Sequence, residues 1–253
     1  MIKIREYVKA ASLEEAWELN QKRTNKILGG MLWLRMGSRN VQKAIDLSGL
    51  GLDTIEETGD AFSIGAMATL RQIELHQGLN AFSENLLHDA VCDIVGTQFR
   101  NLATVGGSIF GRFGFSDVMT AFLALDSYVE LYRGGIIPMS EFVRMKRDND
   151  ILVRVIVKKQ AGHFAYLSHR NTRTDFPVLT AAVSDCGGVK KAVIGARPGI
   201  ARLYEIETMD DETAARLAEE TSFQSNLRAS DTFRRHLAGV LLRRAFAAVQ
   251  GKE

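Results

Sequence analysis

Residues 98–109 read QFRNLATVGGSI, a run of small and polar residues that closes on Gly106 and Gly107. Ahead of it, Ser83 stands before Leu86, Leu87, Ala90, Val91 and Ile94, whose spacing predicts an amphipathic helix. The run itself, residues 98–108, reads as a loop. A second pair, Gly29-Gly30, follows the short strand Lys26-Ile27-Leu28. Glycine adopts backbone angles closed to other residues and has no side chain to hold a ligand away. Loops of this kind turn several N–H groups toward one anion. At about 1.5–3 kcal/mol for each hydrogen bond to a charged group, two such loops hold a pyrophosphate without Lys or Arg. A glycine pair after a strand also makes an ordinary tight turn. Neither pair has G-x-G-x-x-G spacing and no P-loop motif occurs, so the residues alone leave a phosphate cradle and a plain turn both open.

Outward from these two points the chain alternates elements. Ser12 with Glu15 predicts a capping box opening a helix that carries Leu13, Ala16 and Trp17. Strands are expected at 44–47, 62–66, 128–132 and 151–158, the last with Val153, Val155 and Val157 on one face. Thr69 is placed to cap a helix from Leu70, and Asp117 to cap one over 118–125. Gln160-Ala161-Gly162 reads as a domain boundary. Beyond it, strands are expected at 164–167, 179–184 and 190–194 and helices at 211–220 and 231–249. Phe233, Leu237, Val240, Leu241 and Leu242 form the predicted buried stripe of the last helix. The class is α+β, with two lobes over 1–160 (about 1–52 and 53–160) and a C-terminal α+β domain over 161–253.

The bulk composition excludes several functions. The net charge of +2, from 32 basic and 30 acidic residues, is small and well mixed, which argues against a nucleic-acid partner. No apolar run approaches the roughly 20 residues that span a bilayer. Charges occupy the first ten residues where a signal peptide needs its apolar stretch, so a cytoplasmic location is expected. Cys92 and Cys186 cannot supply the four thiolates of an iron–sulfur cluster, and the five histidines are scattered without metal-ligand spacing. Redox chemistry here requires an organic cofactor.

The stretch Gln98-Phe99-Arg100-Asn101-Leu102-Ala103-Thr104-Val105-Gly106-Gly107-Ser108-Ile109 resembles the second flavin loop of the FAD subunits of molybdenum hydroxylases, which reads Q-x-R-N-x-A-T-I-G-G-N-I. Ile45-Asp46-Leu47-Ser48, residues 64–70 (IGAMATL), Ser116-Asp117 and residues 122–126 (FLALD) are similar to further motifs of that family. It is the family of the molybdopterin, xanthine and carbon monoxide dehydrogenase medium subunits. The resemblance implies a two-lobed FAD-binding fold of the vanillyl-alcohol-oxidase type, with a C-terminal domain of the CO dehydrogenase flavoprotein type.

It also implies the site. The first loop (Lys26, Ile27, Leu28, Gly29, Gly30, Met31, Leu32, Trp33) and the second (Thr104, Val105, Gly106, Gly107, Ser108) would hold the pyrophosphate of FAD. Asp117 would contact the cofactor near its ribose and pyrophosphate, and Ile94 would lie near the flavin or adenine. The implied role is to pass electrons from a partner's [2Fe–2S] clusters to an acceptor such as NAD, beside a molybdopterin-binding catalytic subunit. No catalytic residue and no metal ligand is expected on this chain. Four departures stand out: Met31-Leu32 replaces the family's T-D after the first glycine pair, Ser108 replaces Asn, Phe113-Gly114-Phe115 replaces a Pro- and Ala-containing approach to Asp117, and the Lys that the family often carries in the strand near Leu167 is absent. The first keeps an alternative open, an FAD-free scaffold subunit of the same kind of complex. By the same reasoning Gly106→Val or Gly107→Val should release FAD with the fold kept, and Met31→Thr with Leu32→Asp should tighten it.

The remaining candidates are read as structural. Arg100 and Asn101 are expected to bond the loop's own carbonyls. Arg112 is expected to be a solvated charge, and Trp33, Phe110, Phe113 and Phe115 to be packing residues. Arg170 and Arg173 are taken as structural or interfacial.

Overall fold

The computed structural model describes residues 1–251. The chain opens with β1 (Lys3–Lys9), α1 (Leu13–Asn20), β2 (Lys26–Leu28) and β3 (Asn40–Asp46), forming a parallel sheet of order β1-β3-β2. Ser12 caps α1 by accepting the Glu15 N–H at 3.1 Å. The Glu15 carboxylate accepts from Ala11 N–H at 2.7 Å, one residue earlier than a capping box requires. Ala16, Ile45 and Leu47 of this lobe share a small core with Ile151 and Val153.

The second lobe contains β4 (Ile55–Glu57), β5 (Ala61–Gly65), α2 (Leu70–Leu75), α3 (Gln77–Phe82), α4 (Leu86–Val91), α5 (Thr97–Arg100), α6 (Val105–Phe110), α7 (Asp117–Ala124), β6 (Ser127–Leu131), β7 (Gly135–Pro138), α8 (Met139–Phe142) and β8 (Leu152–Lys158). Its antiparallel sheet runs β4-β5-β8-β6-β7. Thr69 caps α2 in a reciprocal box with Gln72. Residues 98–108 are not the expected loop: they end α5 and begin α6, because Thr104 accepts the Gly107 N–H and so starts a helix.

The last part comprises β9 (Gly162–His169), β10 (Leu179–Cys186), β11 (Val189–Gly195), β12 (Arg202–Ile206), α9 (Asp211–Glu220) and α10 (Asp231–Gln250). The four strands form an antiparallel sheet, β12-β11-β10-β9. Side chains alternate across a strand, so β10 faces two cores. Ala181 and Val183 pack with Leu217, Leu242 and Phe246 of α9 and α10. Ala182 faces the other way and joins the main core with Phe164, Tyr166, Val193 and the helices α4 and α7. The C-terminal sheet is therefore welded onto the second lobe rather than tethered to it. In α10 the expected stripe is corrected. Leu237, Leu241 and Leu242 are buried, but Phe233 is exposed and Val240 only partly covered. Arg234 is buried in their company, donating to the carbonyls of Val178, Gln224 and Ala229 and to Asn226 Oδ1.

Candidate cofactor-binding site

The two glycine segments meet. A Cβ built on Gly29 would lie 2.8 Å from Thr104 Oγ1 and 3.7 Å from Gly107 Cα. Gly30 has φ +38°, and its Cβ would stand 1.9 Å from the Leu102 carbonyl oxygen, so no side chain fits there. Gly106 is buried, with a Cβ 2.7 Å from the Ala66 oxygen. Gly107 is exposed, and its Cβ would approach only Thr104 Oγ1, at 3.0 Å. Of the four glycines, Gly30 and Gly106 let backbone segments touch, while Gly107 keeps an outer surface bare.

The expectation of a nest of free amides is corrected by the hydrogen bonds. Val105 and Gly106 N–H donate to the carbonyls of Ala68 and Ala66, both at 2.8 Å. Gly107 N–H donates to Thr104 Oγ1 and Ser108 N–H to the Thr104 carbonyl. These four donors are engaged within the chain. Among the described residues, the amides of Gly30 and Leu32 have no acceptor, and the Thr104 hydroxyl hydrogen is free to donate. Ser108 Oγ donates to the Thr104 carbonyl, and Ser116 Oγ donates to the Ser108 carbonyl, tying α6 to the start of α7.

Past Gly30 the chain turns sharply. Met31 has φ +59° and donates its N–H to the Gly29 carbonyl. Leu32 is buried in the main core, and Trp33 is half exposed. The Trp33 ring lies 5.6 Å from Phe115, 5.5 Å from Phe176 and 6.3 Å from Phe113. Trp33, Phe113 and Phe115 pack against one another, and Phe176, on the β9–β10 connection, completes their group. Phe110 packs instead on Phe142, 6.2 Å between ring centres. Lys26, Ile27 and Leu28 form the approach: Lys26 Nζ donates back to the Arg23 carbonyl, and Ile27 packs in the first-lobe core. Ile94 lies against the main core, with its carbonyl held by Arg100 Nη1 at 3.1 Å.

Asp117 is not the cap of α7; Ser116 is, accepting the Met119 N–H at 3.1 Å. The Asp117 carboxylate is buried, receiving hydrogen bonds from Arg170 Nη2 and from the Tyr166 hydroxyl, each at 2.5 Å. Burial pushes its pKa up to about 6, although Arg170 and Tyr166 pull it down. Tyr166 is raised well above its usual range, by burial first and then by Asp117. Arg170 is thus interfacial in a specific sense: it joins the C-terminal sheet to α7.

Arg112 is not a solvated charge. It is buried with φ +47°, its guanidinium 3.9 Å from the Phe142 ring centre and its Nε donating to the Phe142 carbonyl. Burial lowers its pKa. Arg100 is structural, but not through the loop's own carbonyls: it bonds the Ile94 carbonyl, outside residues 98–108, and pairs with Glu74 through two bonds of 2.7 and 3.0 Å. Reading the sequence missed Tyr166 as a partner of Asp117, a contact that carries no local signal. It also passed over His88, Asp89 and Cys92, whose one-turn spacing brings a ligand atom of each within 4.8 Å of the others.

The residues fit the pyrophosphate of a dinucleotide in a limited way. Gly107 offers a bare outer face beside Gly29, with the Thr104 hydroxyl as a donor there. Lys26 and Arg112 are both directed elsewhere.

Comparison with known proteins agrees with this arrangement. The uncharacterized protein YgfM of Escherichia coli K12 is 27% identical over 98% of this chain and 97% of its own. A chain of quinoline 2-oxidoreductase from Pseudomonas putida 86 superposes with TM-score 0.83 at 20% identity, over 97% of both chains. A chain of the carbon monoxide dehydrogenase from Hydrogenophaga pseudoflava, in a form lacking the Mo-pyranopterin moiety of its molybdenum cofactor, gives 0.84 at 21%, over 98% and 97%. At those identities the two superpositions establish the α+β fold. The family model described as the FAD binding domain in molybdopterin dehydrogenase matches residues 2–160, more than half of the sequence, and the chain belongs to that family.

Proposed function

We propose that this chain binds FAD where residues 26–33 meet residues 104–108, with the pyrophosphate over the bare face of Gly107. The observation that carries the proposal is the apposition of Gly29 with Thr104 and Gly107. Thr104 would donate its hydroxyl hydrogen to a phosphate oxygen. Residues 1–160 are the FAD-binding part, in lobes of about 1–52 and 53–160, and 161–253 the C-terminal domain. Asp117 would act on the cofactor by holding Tyr166 and Arg170 against α7, and Ile94 would lie near the flavin or adenine.

FAD, when bound, supplies the electron-transfer chemistry, and the chain positions it. In this reading the chain takes electrons from the [2Fe–2S] clusters of a partner subunit, in a complex with a molybdopterin-binding catalytic subunit. It passes them to an external acceptor such as NAD, in the cytoplasm. Among the described residues no helix is long and apolar enough to cross a membrane. Reconstitution tests the role. Flavin on this chain should be reduced by the complex's substrate only when the iron–sulfur and molybdenum partners are added. Reduction by substrate with this chain alone would make it a free-standing oxidase instead.

A second reading is an FAD-free scaffold of the same kind of complex. Burial of Leu32 and engagement of the amides of residues 105–108 favour it. The two readings part on whether the purified chain takes up flavin.

A further inference from the structure

A pocket of about 380 Å³ opens at the seam between the second lobe and the C-terminal sheet, far along the chain from either glycine pair. Its walls come from Ser140, Val143 and Arg144, on and just after α8, and from Arg197, Ile200 and Arg202, which lead into β12. No acidic residue lines it. Among the described residues none of the three arginines forms an ion pair with a carboxylate, although Arg133, Arg154 and Arg216 elsewhere in the chain do.

The arginines differ in what holds them. Arg197 is anchored: Nε donates to the Ile200 carbonyl at 2.8 Å and Nη1 to the Ser222 carbonyl at 2.7 Å, leaving Nη2. Arg202 lies over the Tyr204 ring at 4.8 Å and donates Nη1 weakly to the Glu220 carbonyl at 3.3 Å. Arg144 is exposed, and no hydrogen bond engages its side chain among the described residues. Arg197 and Arg202 repel each other, and burial with that repulsion lowers the Arg197 pKa. Like charges gathered without a counter-ion are stabilised by an anion, and guanidinium groups bind phosphate oxygens in pairs of bonds. A single carboxylate satisfies one such fork, whereas a phosphate dianion engages several. Val143 and Ile200 add an apolar wall, and the volume lies near the small end of ligand pockets, which favour seams between domains.

We propose that this pocket binds a small organic phosphate, a phosphate monoester whose carbon-bearing group lies against Val143 and Ile200 while its oxygens face Arg144, Arg197 and Arg202. The proposal is independent of flavin binding, because neither Arg144 nor Arg202 belongs to the glycine site. The test is calorimetric titration of the purified full chain, first saturated with FAD so that the glycine site is filled, with AMP as probe and with inorganic phosphate as comparison. AMP should bind saturably, one per chain, and more tightly than inorganic phosphate. Arg144→Gln and Arg202→Gln should each weaken AMP about tenfold and leave the melting temperature unchanged. Arg197 is left intact because it braces the β11–β12 connection. Absence of saturable AMP binding, equal affinity for AMP and inorganic phosphate, or AMP affinity unchanged in both variants would each overturn the assignment.

Discussion

Gly29 and Thr104 are in contact across the junction of the first and second lobes: a Cβ on Gly29 would sit 2.8 Å from the Thr104 hydroxyl oxygen. That hydroxyl also accepts the Gly107 N–H at 3.1 Å, so one side chain organises both glycine segments. Thr104→Val, isosteric but without the hydroxyl, should therefore uncap α6 and loosen the junction together. A loss of about 1 kcal/mol is expected for the cap alone, read by denaturant unfolding. Unchanged stability would mean that Thr104 is not the organiser.

The glycines of the second pair should respond oppositely. Gly106→Ala places a methyl 2.7 Å from the Ala66 oxygen and should lower the melting temperature, so valine there cannot isolate FAD binding as first expected. Gly107→Ala adds a methyl on an exposed face, near only Thr104 Oγ1, and should keep the fold while weakening FAD. Thermal melts of both variants with an FAD titration of the second check this. Equal melting temperatures would remove the distinction between the two glycines.

Restoring the family's T-D after the first pair should not tighten FAD. Leu32 is buried in the main core, so Leu32→Asp puts an unpaired carboxylate among apolar side chains, at a cost of several kcal/mol. Met31 at φ +59° is hostile to a β-branched Thr. Met31→Gly should instead relieve the left-handed strain and stabilise the chain by up to about 1 kcal/mol after the entropy cost of glycine. Unfolding in denaturant measures both, and a destabilised Met31→Gly would contradict this geometry.

Two buried carboxylates should show opposite pH dependence. Asp117 has its folded pKa raised by burial to about 6, so the stability it contributes is present below its usual value near 4 and lost as pH rises to about 6. Glu74 is opposed by burial but held below its usual value by Arg100 and Arg71, so its contribution is present above the usual value and lost as pH falls. Measured against pH, the stability difference between the native chain and Asp117→Asn should shrink between about 4 and 6. That between the native chain and Glu74→Gln should shrink as pH falls below about 4. Glu74→Gln should also cost about 3–5 kcal/mol at neutral pH, because it strands the buried Arg100. Parallel pH trends in the two pairs would contradict the assignments.

Much of the fold was legible because its central strands carry their burial in their composition. Val153, Val155 and Val157 alternate along β8, and Ala44 and Ile45 are buried in β3 at the centre of the first sheet. β1 escaped because its sequence, KIREYVK, is exposed along nearly its whole length and shows no buried face. Strand β12 is short and mixed for a similar reason. In α10 a stripe read by spacing chose Phe233, whereas Arg234 is buried because four oxygens, one from Val178 and three from the segment just before the helix, satisfy its guanidinium. The glycine pairs were visible as positions, but their division of labour was not. Gly30 answers to Leu102 and Gly106 to Ala66, contacts that exist only after folding. Asp117 looked like a cap from its place before Val118. Its partners Tyr166 and Arg170, on β9 and just beyond it, give it a different task.

The central claim is that the junction of Gly29, Thr104 and Gly107 holds FAD. Titrating the purified chain with FAD and recording visible absorption after removal of free cofactor tests it most directly. The account predicts a yellow protein with one flavin per chain, and Gly107→Val folded but colourless. A native chain left colourless at saturating FAD, or a Gly107→Val variant as yellow as the native chain, would contradict it.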